Sequence, residues 1–208
     1  MEYVFLIIIL IFSIVIHEMA HGGVAYQLGD PTAKYAGRLT LNPIKHIDPI
    51  GSILVPVFLV IMAQISGGGI IFGWAKPVPI NPYNFRDQKY GSMKVALAGP
   101  GANLALALFF GLLLRFIPFS IIPLGVITMF SYIVYINILL AMFNLLPIPP
   151  LDGSHILFTF LPASAQNIKI FLQQFGFFIL LFFLFFLFPF LSYIINLIFS
   201  LITGFPLF

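Results

Sequence analysis

Long uninterrupted apolar runs dominate this chain, and polar residues gather in the breaks between them. Residues 3–28, 91–115 and 120–146 each supply the roughly 20 apolar positions that a helix needs to cross a bilayer. Residues 168–188 and 190–206 give two more such segments, rich in Phe and Leu, divided by Pro189 and expected to face lipid. The run 50–65 holds only sixteen residues and contains Pro56, which is short for a span and fits a re-entrant or strongly displaced helix. Turn signals stand at Gly29-Asp30-Pro31, Asn42-Pro43 and Asp48-Pro49. Arg38-Leu39-Thr40-Leu41 alternates like a short strand, and residues 70–80 have strand-like composition interrupted by prolines, as in an edge or hairpin. The pattern predicts an all-α polytopic membrane protein with about five transmembrane helices and a re-entrant or β-hairpin segment. It reads as one membrane-embedded domain over residues 1–208, with a core at about 3–160 and C-terminal apolar helices at 167–206.

Composition agrees with a membrane setting. Of 208 residues, 61% are hydrophobic and 7% charged, against about 25% charged in a soluble domain. The net charge of +3 comes from nine basic residues spread along the chain, so no basic stripe points to nucleic acid. There is no cysteine, which removes disulfides and thiolate metal sites and leaves His, Asp and Glu as candidate ligands. The first apolar run has Glu2 where a signal peptide has basic residues, and reads as a retained span. No repeat, long polar tail or soluble regulatory domain is visible.

Against this background His17-Glu18-Met19-Ala20-His21 stands out, because from Tyr3 to Ile16 the chain carries no charge. Ionisable groups inside a membrane cost a few kcal/mol unless paired or bound, so three within five positions require a shared cause. Positions four apart share a helix face, so His17 and His21 can grip one metal ion while Glu18 stands beside it as a general base. A catalytic zinc site takes a third protein ligand and keeps a place for water. Asp30, Asp48, Asp87, Asp152, His46 and His155 are the candidates. Asp152 is favoured, since it ends the proline-stiffened stretch Pro147-Ile148-Pro149-Pro150-Leu151 directly after a hydrophobic helix, whereas His155 reads as an interfacial histidine at a helix start. Parity then requires an even number of crossings between the two halves of the site, which spans 91–115 and 120–146 provide if residues 50–65 re-enter. Under that topology Lys34, Arg38, Lys45, Lys76, Arg86, Lys89, Lys94 and Lys169 share one side and Arg115 occupies the other. The positive-inside rule makes the site's side cytoplasmic.

Together, His17-Glu18-Met19-Ala20-His21 and Asn144-Leu145-Leu146-Pro147…Leu151-Asp152-Gly153 resemble the paired motifs of the site-2 protease family of intramembrane zinc metalloproteases (peptidase family M50). The resemblance covers about residues 10–160. It implies one Zn2+ per chain held by His17, His21 and Asp152, Glu18 as the base, and Asn144 holding the substrate or the oxyanion. Ala98-Gly99-Pro100 with Asn103 is similar to the family's intervening helix, which makes Asn103 a substrate-contact candidate. The expected partners are the lipid bilayer and a transmembrane protein substrate, in a bacterial or archaeal cell membrane.

The implied reaction is hydrolysis of a peptide bond in or beside a transmembrane segment. A substrate helix must unwind first, and an exposed edge near residues 37–41 or 70–80 would hold it extended as an added strand. A divalent-metal transporter or a metal-binding scaffold would use the same ligands. Transport, however, needs access from both sides, and a scaffold has no use for Glu18.

Overall fold

A computed structural model of the chain describes residues 2–66, 73–118 and 123–206. Its elements in order are α1 (Glu2–Gln27), α2 (Thr32–Tyr35), α3 (Val55–Ser66), α4 (Gly91–Phe116), α5 (Leu124–Asn144), α6 (Asp152–Phe160) and α7 (Gln166–Thr203). The all-α expectation holds, and among the described residues there is no strand. Residues 39–41 form bends, and residues 73–81 run irregularly where Pro77 and Pro79 withhold N–H donors. Part of the expected hairpin, residues 70–72, lies outside the described residues.

Four helices among the described residues are long and apolar enough to cross a membrane: Phe5–Gln27, Gly91–Phe116, Leu124–Asn144 and Gln166–Leu184. About five were expected. The difference lies at the C-terminus, where the two segments merge into the single 38-residue α7 with Pro189 inside it. A proline ends a helix in water, but in an apolar span the cost of exposing other backbone groups keeps the helix going past it.

The central helix is α4, which packs against α1, α5, α6 and α7. Its distal half joins α5 and α7 in one cluster, in which Ala107, Leu114, Val134, Ile138, Ile195 and Phe199 are buried. Thus α7 is not simply lipid-facing. Its N-terminal half also buries Leu180 against Ile148 and Leu151, backing the loop that leads to Asp152. At the other end, Arg115 donates to the carbonyl of Leu201 (2.6 Å), tying the C-termini of α4 and α7 together.

The long excursion between α1 and α4 returns to its starting point. Arg86 N–H donates to Leu28 C=O (2.8 Å), and buried Asp30 accepts from Asn81 N–H (2.7 Å), the Asn84 amide (2.8 Å) and Thr32. The C-terminus of α1 and the N-terminus of α4 therefore share one end of the bundle. Asp48 caps the helical turn Pro49–Leu54 by accepting from the N–H groups of Ile50 and Gly51.

Candidate metal centre

His17 and His21 lie one turn apart on α1, and both are buried, at 7% exposure each. Asp152 opens α6, which packs on α4, and its carboxylate reaches both histidines. The two Nε2 atoms are 3.0 Å apart, and Asp152 Oδ2 is 3.1 Å from His17 Nε2 and 3.2 Å from His21 Nε2. Three potential ligand atoms thus form a nearly equilateral triangle.

The protons decide what this triangle can hold. His21 Nδ1 is 2.7 Å from the Val95 carbonyl, which only accepts, so that nitrogen carries the hydrogen. His17 Nδ1 donates to Asn103 Oδ1 at 2.6 Å. Both rings therefore turn Nε2 toward the carboxylate. Burial works against ionisation of Asp152, yet the two imidazoles beside it hold its carboxyl at about 2, so at neutral pH it faces them as a carboxylate. Two imidazole nitrogens and a carboxylate oxygen about 3 Å apart need positive charge among them, from a proton or a metal ion. The donor set, two imidazoles and one carboxylate, is that of a catalytic zinc site.

Space has been left for it. A Cβ added to Gly99 on α4 would lie 2.6 Å from His17 Nε2 and would press on His21 Nε2 as well. Gly99 keeps the centre clear.

The other candidate third ligands are occupied elsewhere. Asp30 ties α1 to the segment 81–84, Asp48 caps a helical turn, Asp87 pairs with Lys94 (2.6 Å), and His46 binds the Thr40 carbonyl (2.9 Å). His155 lies on the wall of the cavity beside the centre, in the first turn of α6.

That cavity measures about 420 Å³ and is bordered by Glu18, Asn144 and Asp152 on its polar side and by Val78, Ile80 and Val95 on its apolar side. Glu18 Oε2 accepts from Val78 N–H at 2.8 Å, which anchors the carboxylate next to the triangle but outside it. Asn144 donates to the Leu140 carbonyl (2.9 Å) through one hydrogen of its amide and keeps the other. Asn103, read as a substrate contact, is placed differently. It is fully buried behind His17 and does not border the cavity.

Segment 76–79 also bears on the expected strand addition. Lys76 N–H donates to His46 C=O, Val78 N–H to Glu18, and Pro77 and Pro79 have none. This stretch can offer an incoming chain carbonyls but no ladder of donors.

Three groups escaped the sequence reading: the Val78 amide, Ser13 and Asn137. A main-chain donor leaves no mark in composition. Ser13 did leave one, since Ser13, His17 and His21 repeat every four residues along one face of an otherwise apolar helix.

Comparison with known proteins agrees with the geometry. Residues 118–187 match the model of peptidase family M50. The chain is 40% identical over 184 residues to "Putative zinc metalloprotease YwhC" of Bacillus subtilis, covering 85% of this chain and 78% of that one. It is 33% identical over 171 residues to "Putative zinc metalloprotease Rip2" of Mycolicibacterium smegmatis, covering 80% of this chain and 61% of the relative. A third relative, "Putative zinc metalloprotease MJ0611" of Methanocaldococcus jannaschii, is 43% identical over 93 residues, 42% of this chain and 46% of its own. No solved structure gives a significant match. With its helices, its buried triangle and these relatives in view, the chain belongs to peptidase family M50, the site-2 protease family of zinc metalloproteases.

Proposed function

We propose that this protein hydrolyses peptide bonds in or beside transmembrane segments of other membrane proteins, using one zinc ion held by His17, His21 and Asp152. The observation that carries the reading is the convergence of three potential ligand atoms, 3.0 to 3.2 Å apart, with the anchored carboxylate of Glu18 beside them. His21 and His17 lie six and ten residues before the end of α1, or about 9 and 15 Å along the helix axis at 1.5 Å per residue. The bond to be cut is therefore reached at that depth, and a substrate helix has to unwind locally to expose it.

Zinc bound at the triangle supplies Lewis acidity toward a water molecule and the scissile carbonyl. Glu18 takes a proton from the attacking water and passes it to the leaving amine. Its hydrogen bond from Val78 leaves Oε1 for this work. Asn144 turns its remaining amide hydrogen toward the oxyanion as the carbonyl carbon becomes tetrahedral. Val78, Ile80 and Val95 give the substrate an apolar wall and keep bulk water away.

The membrane arrangement follows the same logic. Residues 28–30 bond directly to residues 81–86, which supports an even number of crossings between them, and in this reading residues 50–65 re-enter from the site's side. The basic residues collected at that end make it cytoplasmic.

The test is zinc content and cleavage of a transmembrane reporter in liposomes by wild type and Glu18→Gln. About one zinc per chain in both, with cleavage in wild type alone, supports the reading. Equal cleavage by both removes Glu18 as the base. Zinc in both without cleavage by either would favour a scaffold or transporter.

A further inference from the structure

Behind the metal centre lies a run of buried amides that the proposed chemistry does not use. Asn103 and Asn137 are fully buried, Ser13 is 3% exposed, and all three lie in apolar spans. Two main-chain carbonyls fix the sense of the whole run, because a carbonyl can only accept. Asn137 contacts Ile133 C=O at 2.8 Å, so the atom doing so is its Nδ2, which also donates to Ser13 Oγ at 2.9 Å. Asn137 Oδ1 is thereby turned toward Asn103 and accepts from its Nδ2 at 2.8 Å. Asn103 Nδ2 also donates to Ser13 C=O (3.2 Å), which agrees with that orientation. Asn103 is left with only Oδ1 to offer His17 Nδ1, 2.6 Å away, so the ring proton must reside on Nδ1.

We propose that Asn137, held by Ser13 and Ile133, is a positioning residue that selects the His17 tautomer through Asn103. Were Asn103 to turn over, its NH2 group would face Nδ1, the proton would move to Nε2, and the nitrogen aimed at the triangle would be closed to a metal. Asn103 alone has no means of resisting that rotation beyond one longer contact to Ser13 C=O. The Asn137 oxygen supplies the resistance. His21 needs no such relay, because Val95 C=O fixes its tautomer in one step. The two ligands are thus oriented by different means, one by a helix carbonyl and the other by a four-residue side-chain chain spanning α1, α4 and α5. Partners that orient a ligating histidine are commonly worth 10- to 100-fold in metal affinity.

The inference rests on the reading of His17 as a zinc ligand, and the experiment separates the two. Full-length protein is labelled with 15N-histidine, stripped of zinc, and its His17 ring nitrogens are assigned by difference from His17→Gln. Wild type should show the Nδ1–H tautomer without zinc, and Asn103→Leu and Asn137→Leu should shift it toward Nε2–H. In chelator competition both variants should bind zinc 10- to 100-fold more weakly. The double variant should be no worse than Asn103→Leu. An Nε2–H tautomer in wild type, or wild-type tautomer and affinity in Asn137→Leu, overturns the relay. If Asn137→Leu does not fold, the wild-type tautomer decides by itself. Wild type that binds no zinc but shows the Nδ1–H tautomer would refute the protease reading and leave the relay standing.

Discussion

Gly99 and His17 face each other so closely that a single methyl group between them would lie 2.6 Å from the Nε2 atom. The small residue on α4 and the candidate ligand on α1 form one steric unit. Gly99→Ala gains helix propensity, by up to about 1 kcal/mol in a free helix, yet places its Cβ against both imidazoles. We expect it to remain folded and to lose zinc, with at least tenfold weaker binding in chelator competition and a matching loss of cleavage. Wild-type zinc affinity in this variant would show that the centre tolerates a filled cradle.

Removing the metal should reveal how much the triangle depends on it. The three potential ligand atoms lie about 3 Å apart in a buried site, where a bound cation would offset the Asp152 charge. A ligand that binds only the folded state at 100 times its Kd stabilises it by about 2.7 kcal/mol. Zinc chelation should lower the melting temperature of wild type measurably. Asp152→Asn, with one charge fewer and an NH2 group directed at the imidazoles, should melt at the same temperature with or without chelator.

The fold and the site were legible in the sequence to different depths, and particular residues show why. The run from Tyr3 to Ile16 has one physical solution in a bilayer, so α1 was plain. His17, Glu18, His21 and Asp152 were visible because ionisable side chains amid apolar ones demand a cause. Pro189 misled, since the rule that proline ends a helix comes from water and the backbone of α7 has no water to turn to. Asn103 was assigned to the substrate because sequence gives the side chain but not the face it presents. Asn137 carried no signal of its own, being one amide in a hydrophobic helix whose partner is 34 residues away.

Asp30 offers a test at a distance from the centre. Burial opposes its ionisation, but hydrogen bonds from Thr32, Asn81 and Asn84 outweigh that and hold its carboxyl below the ordinary value. The folded state therefore binds this proton less readily than the unfolded chain. The stabilisation is fully present above the unfolded value, near pH 4, and fades as pH falls through the lower folded value. Asp30→Ala leaves several donors unsatisfied, at about 1–3 kcal/mol for each buried one. It should be less stable than wild type at pH 7, and the difference should shrink on acidification below about pH 4. A constant difference across that range would mean that the fold does not lower the Asp30 pKa.

The last expectation concerns α7, which touches no ligand. A Cβ at Gly176 would lie 2.5 Å from the Pro149 carbonyl, and Leu180, one turn on, packs on Ile148 and Leu151. This half of α7 is the surface on which the stretch from Pro147 to Leu151 rests before it delivers Asp152 to the imidazoles. Gly176→Leu must push that backbone away, because a carbonyl at the end of a proline-bound segment cannot rotate aside as a flexible side chain can. A shift of about 1 Å in Asp152 breaks one leg of the triangle while His17 and His21 stay in place on α1. We expect zinc binding to weaken at least tenfold and cleavage to fall in proportion, with helical content by circular dichroism unchanged. Leu180→Ala, which removes the packing without intruding, should produce a milder loss of the same kind. If Gly176→Leu binds zinc as wild type does, α7 serves the membrane bundle and not the site.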